Sequence, residues 1–250
     1  MLHSKLLTGV ATAPLAVALA ALAPTALAHT TIAAQAIEGV RSDNALRIGH
    51  GCEEDLRAVI AQSVVFPTDA PDLATSDPSV TVSDLSTVIE QGGIAGLASL
   101  VQDRSIFFSQ DVKRDANGNV IGFIGKDGFL KTGLHGHVPF EFSSPNFVAT
   151  SCAKSLIIQV AIADICGLRK PTIQPEKVNL WIPDNGSQLA TLGAANDIDG
   201  IGAPANLVVN RNLLSNPLDP ACGAGYSVTV TPSAAQVDRD LPIPGFWAPR

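Results

Sequence analysis

The sequence predicts a mainly-β protein, an antiparallel β-sandwich with long loops and one or two short helices. Three observations lead there. Eight segments are short, β-branched or alternating, and bounded by Gly, Pro, Asn or Asp. Between two of them lies Asp115-Ala116-Asn117-Gly118, a hairpin signal in which Asn-Gly suits positive φ. The remaining connections have the lengths of Greek-key links between two packed sheets.

Composition narrows the class further. Of 250 residues, 46% are hydrophobic and 16% charged, which excludes a disordered chain. Sixteen Lys+Arg stand against 23 Asp+Glu, a net charge of −7, so binding nucleic acid through charge is excluded too. With five histidines and four cysteines, metal or redox chemistry has few addresses.

Taken in order, residues 1–28 read as a secretory signal peptide. Lys5 supplies the positive n-region, Leu6 to Ala23 is apolar with breaks at Gly9 and Pro14, and Ala26-Leu27-Ala28 is a small-x-small cleavage site. A membrane anchor would instead end in a basic stop-transfer cluster. Residues 29–250 then form one β-rich domain beginning at His29, with no further stretch able to span a membrane. That domain is expected outside the cytoplasm: secreted, periplasmic or on the outer cell surface.

Strands are expected at Ala45–Gly49, Val59–Phe66, Ser105–Val112, Val120–Ile124, Ser155–Ile165, Val178–Ile182, Asn206–Val209 and Tyr226–Thr231. Helical spacing of Leu85, Val88, Ile89, Leu97 and Leu100 predicts helix over about 83–102, split at Gly92-Gly93. From Leu241 the chain reads as an extended, surface-packed tail, with Trp247 as its anchor; Trp181 alternates like a core strand residue.

Four cysteines fit two disulfides in an oxidising compartment. Cys152 and Cys166 flank one extended strand of roughly 45 Å, far beyond the reach of a disulfide. Cys52–Cys152 with Cys166–Cys222 is the favoured pairing, with the crossed alternative open. No Cys-x-x-Cys marks a thiolate metal site.

The histidines carry the chemistry. In Gly133-Leu134-His135-Gly136-His137, residues i and i+2 on a strand would offer two imidazoles to one ion. In Gly49-His50-Gly51-Cys52-Glu53-Glu54, a bonded cysteine would hold His50 rigidly. His29, as a mature N-terminus, would chelate through its α-amine and Nδ1. Copper is preferred over zinc, which more often sits in a Cys/His cage or with a carboxylate. No hydrolase, zincin, P-loop or dinucleotide motif is present, and no organic cofactor is expected. Asp115-Ala-Asn117-Gly-Asn119 has Val120 and Lys126 where a calcium loop needs Gly and Glu, and reads as a turn.

Gly49-His50-Gly51, Val59-Ile-Ala-Gln-Ser-Val-Val-Phe-Pro67, Leu134-His-Gly-His-Val-Pro-Phe140 and Thr150-Ser-Cys-Ala-Lys154 resemble the copper-repressible surface proteins of methane-oxidising bacteria, the MopE/CorA type. That resemblance implies a β-rich extracytoplasmic protein holding copper through His50 and either His135 or His137, assisted by a tryptophan oxidised to kynurenine. No tryptophan lies near His50 in the sequence, so the kynurenine does not carry over. The Ala28/His29 start and His50-Gly51-Cys52 are also similar to YcnI-type copper proteins, which draws attention to His29. The function expected is copper acquisition, storage or handling, with a periplasmic or surface redox partner. The alternatives are a metal-free surface or structural binding protein and a copper-dependent oxidoreductase.

Overall fold

The computed structural model describes residues 29–49, 58–166 and 177–243. In chain order the first strands are β1 Thr31–Ile32, β2 Ala36–Ile37, β3 Arg41–Ile48, β4 Val59–Val65, β5 Asp72–Thr75, β6 Ala98–Leu100 and β7 Phe107–Arg114. They are followed by β8 Val120–Gly128, β9 Gly136–Ser143, β10 Ala153–Cys166, β11 Val178–Trp181, helix α1 Gln188–Ala195, β12 Ala205–Asn210, β13 Tyr226–Thr231 and helix α2 Ala234–Asp240.

A four-stranded antiparallel sheet, β1-β3-β9-β6, faces a larger one built on the path β2-β12-β10-β4-β8-β7. β10 carries the larger sheet. Its first half pairs with β12 and β13, its second with β11 and β4. The mainly-β sandwich expected from the sequence is therefore present. It is not wholly antiparallel: β10–β13 and β12–β2 run parallel.

Period-two alternation sends Leu46, Ile48, Val138, Phe140 and Phe142 inward from the small sheet, onto Val64, Phe123, Leu156 and Ile162 of the large one. Phe66, Phe123 and Phe140 meet edge-on or tilted at centroid separations of 5.5, 5.9 and 6.1 Å, stitching the two sheets together. The other face of the large sheet is covered as well. Ala61, Ala163, Ile165 and Leu180 pack against Leu189 of α1, Val237 of α2, and Leu241 and Ile243 beyond it. Burial on both faces explains why β10 is a nearly continuous apolar run.

Several sequence expectations need correction. The region 83–102 is not helical. It holds one 3-10 turn, Leu85–Thr87, and then β6, with Gly92 and Gly96 at φ +66° and +77°. Its apolar residues recur because a loop dips Val88, Ile89 and Ile94 into the core. The α-helices lie instead at α1 and α2, where Ser187 and Ser233 accept N–H bonds from Ala190 and Gln236 as N-caps. The tail begins buried, at Leu241 and Ile243, not on the surface; Trp247 lies outside the described residues.

The favoured disulfide pairing is also overturned: Cys152 bonds Cys222, with Cα atoms 5.3 Å apart. Cys152 immediately precedes β10 and Cys222 lies four residues before β13, and the parallel pairing of those strands, Ala153 against Tyr226, brings the two together. Cys166 is itself disulfide-bonded, and Cys52 lies outside the described residues. The hairpin reading holds. β7 and β8 pair, and Asp115 accepts N–H bonds from Asn117 and Asn119 across the turn.

Lys113 of β7 fastens α2 to the sheet. Its Nζ donates to Ser63 Oγ at 2.6 Å and to the carbonyls of Asp240 and Leu241, where a cation also suits the helix C-terminus. Burial lowers its ammonium to about 7. Between about pH 7 and 10.5 the unfolded chain keeps a proton that the folded protein has released, so this group adds stability as pH rises. Lys113→Met should flatten that rise by up to about 1.4 kcal/mol per pH unit, read from denaturation midpoints of both proteins at pH 7 and pH 9.

Candidate functional site

Asp164 stands on the inward face of β10, two residues beyond Ile162. It is completely buried, in a run that is otherwise Ala-Ile-Ala-x-Ile-Cys. Register explains its neighbours. Gln62 of β4 lies directly opposite, and Trp181 of β11 is paired with Ile162, one diagonal step away. Gln62 Nε2 donates to Oδ1 at 2.8 Å, and Trp181 Nε1 to Oδ2 at 2.8 Å. Thr30, just before β1, closes the set by donating Oγ1–H to Oδ2 at 2.6 Å.

His29 completes the cluster. Its ring lies 5.0 Å from the Trp181 ring, tilted by 43°, and its Nε2 is buried with no hydrogen-bond partner among the described residues. Burial raises the pKa of Asp164, against the pull of the Thr30, Gln62 and Trp181 hydrogen bonds and the charge of His29. All three neighbours act as donors, the complement an ionised carboxylate requires. The arrangement therefore sets a carboxyl group whose oxygens are both hydrogen-bonded near a buried imidazole nitrogen that has no partner among the described residues.

Gly49 borders this cluster: a Cβ there would lie 3.4 Å from the His29 carbonyl oxygen. It follows β3, whose register runs Thr31↔Arg47 on one side and Arg47↔His137 on the other. His50, Cys52, Glu53 and Glu54 lie outside the described residues. His135 and His137 are both exposed, and His137 sits opposite Arg47, a cation that disfavours a metal ion there. Among the described residues no three His, Cys, Asp or Glu side chains come together as a metal-holding group.

Trp181 is buried in the core, as its alternation predicts, and it also makes the contacts with His29 and Asp164. Asp164, Gln62 and Thr30 are absent from the sequence-based candidates. A signal existed for two of them: Asp164 is a lone polar residue, and Gln62 part of a Gln-Ser pair, inside an apolar strand run where burial must be answered by hydrogen bonds.

No protein-family model matches the chain, and no curated protein does. Among solved structures, an uncharacterized protein from Nocardia farcinica described as having an immunoglobulin-like fold is similar at 12% identity and TM-score 0.42. The likeness covers 73% of this chain and 98% of that one, and at this level it says nothing of function.

Gly200 backs the indole. At its φ of +100°, a Cβ would fall 2.5 Å from Trp181 Cε3 and 2.6 Å from the Leu180 carbonyl oxygen. Gly200→Ala should therefore cost about 2 kcal/mol or more and displace Trp181. Denaturant unfolding and the emission maximum of Trp181 in a Trp247→Phe background would check both.

Proposed function

We propose that this chain is an extracytoplasmic copper-binding protein serving acquisition, storage or handling of the ion, with His29 as its central ligand. The observation that carries this reading is the buried Nε2 of His29, without a hydrogen-bond partner among the described residues, beside a buried carboxyl group. A buried imidazole nitrogen without a partner is costly, and so is a buried anion without a counter-charge. A cation coordinated by the imidazole answers both. Cleavage after Ala28 would add the α-amine of His29 as a second donor.

His50, one residue beyond Gly49, is the second candidate ligand from the sequence. His135, next to the β9 residue paired with Ile48, is a nearer candidate than His137, whose opposite neighbour is Arg47. Trp181 shields one face of the His29 ring from water, and Asp164 holds the indole in place through its N–H. Bound copper would supply a site of strong imidazole affinity and one-electron chemistry. The Cys152–Cys222 disulfide suits an oxidising compartment, and among the described residues no helix is long and apolar enough to cross a membrane.

The test is metal analysis of protein purified from its native compartment, with N-terminal sequencing of the same sample. Copper should be retained, fall at least tenfold in His29→Ala, and be released by mild acidification, which protonates imidazole ligands. Cu(II) should also quench Trp181 in a Trp247→Phe protein. Equal copper in wild type and His29→Ala overturns the assignment. No copper in either favours the metal-free surface protein, and turnover with a reductant favours an oxidoreductase.

A further inference from the structure

We propose that the surface formed by Phe108, Phe129 and Leu134, with Arg104 and Lys131, docks the protein on an anionic phospholipid bilayer. Such docking is independent of copper binding. The three apolar side chains are 64%, 70% and 55% exposed, whereas the other six phenylalanines among the described residues are buried. Three large apolar groups in one place exceed the scattered exposure usual on a protein surface.

Local structure holds them outside. Phe107 fills the core at the start of β7, and its neighbour Phe108 is turned to the opposite side. Leu130 is buried too, and its backbone exchanges hydrogen bonds with Val59 at 3.0 and 3.1 Å. That anchor sends Phe129 and Lys131 outward on either side of it. The two segments are joined where the Phe129 N–H donates to the Ile106 carbonyl at 3.2 Å. Leu134 stands on a turn closed by its N–H to the Lys131 carbonyl at 3.1 Å. At the bend, Gly133 has φ +81° and a Cβ there would meet nothing within 4 Å, so the turn projects.

Charge complementarity selects the occupant. A cation lies over each ring: the Arg104 guanidinium is 5.0 Å from the Phe108 centroid, and the Lys131 ammonium 5.7 Å from that of Phe129. Residues 104–108 and 128–135 contain no Asp or Glu, in a chain whose net charge is −7. The bordering acids are Asp127 and Asp103, whose carboxylate accepts the Ser105 N–H. Rings that enter the acyl boundary beside cations that meet phosphate are what an anionic bilayer binds, and the two signals together give reversible attachment. A protein partner would have to be shaped to a projecting turn, whereas a bilayer yields to it.

The test is co-sedimentation of the exported protein with vesicles of phosphatidylcholine alone or mixed equally with phosphatidylglycerol. Wild type should bind the mixed vesicles, and raising salt from about 0.1 M to about 0.5 M should weaken binding. Phe108→Ser with Phe129→Ser should lower affinity at least about tenfold, as should Arg104→Glu with Lys131→Glu. Leu214→Ser, which removes a fully exposed leucine elsewhere, should change nothing. No binding by wild type, equal binding to both vesicles, or undiminished binding by the double serine variant overturns the proposal. So does an equal loss in Leu214→Ser, which marks general stickiness. Sedimentation velocity gives a further check: a wild-type dimer that Phe129→Ser dissociates makes the patch a contact between copies and overturns it too. If the double serine variant does not fold, Phe129→Trp keeps the apolar ring. Its emission must shift to the blue on mixed vesicles relative to the parent, and an unshifted spectrum overturns the proposal.

Discussion

The structure depends on one strand, β10. Fourteen residues long, it has a neighbour on each edge along most of its length and a packed layer over each face. Its second half, from Val160 to Cys166, is buried on both faces and so cannot alternate, and Ala, Ile and Val fill it except at Asp164 and Cys166. The disulfide at its start and the bonded Cys166 at its end restrain a strand already set by four partners. Arg211 adds to the first restraint: buried, it donates to the carbonyls of Ala149, Ser151 and Ala153 around the base of the strand.

Against that background Asp164 is a deliberate exception. A carboxylate in the interior costs several kcal/mol unless hydrogen bonds and a counter-charge answer it. Here three donors come from three separate parts of the chain: the segment before β1, β4 and β11. The same group therefore ties the segment before β1 to β4 and β11 at one end of the sandwich.

Much of the fold was legible in local pattern. β4, β10 and β13 follow the β-branched runs within a few residues, and the Asn-Gly turn joins β7 to β8. β1, β2, β5 and β6 were not legible, because two to four residues are too few to show a period. The 83–102 region misled for a related reason: a loop that inserts apolar residues into a core mimics helical spacing, although its glycines adopt positive φ. Of the site, His29 and Trp181 were visible as residues of interest, but nothing local joins them.

The sequence alone determined the β class, the four cysteines that suit an oxidising compartment, and the small set of histidines. Those are properties of composition and of patterns a few residues long. Only the tertiary structure decided that Cys152 pairs with Cys222, and that His29 meets Trp181 beside Asp164. Thr30 and Asp164 are 134 residues apart. Their contact follows from strand order and from the register of β10 against β4 and β11, which are set by how two sheets close on one core. No local preference in the chain encodes that closure.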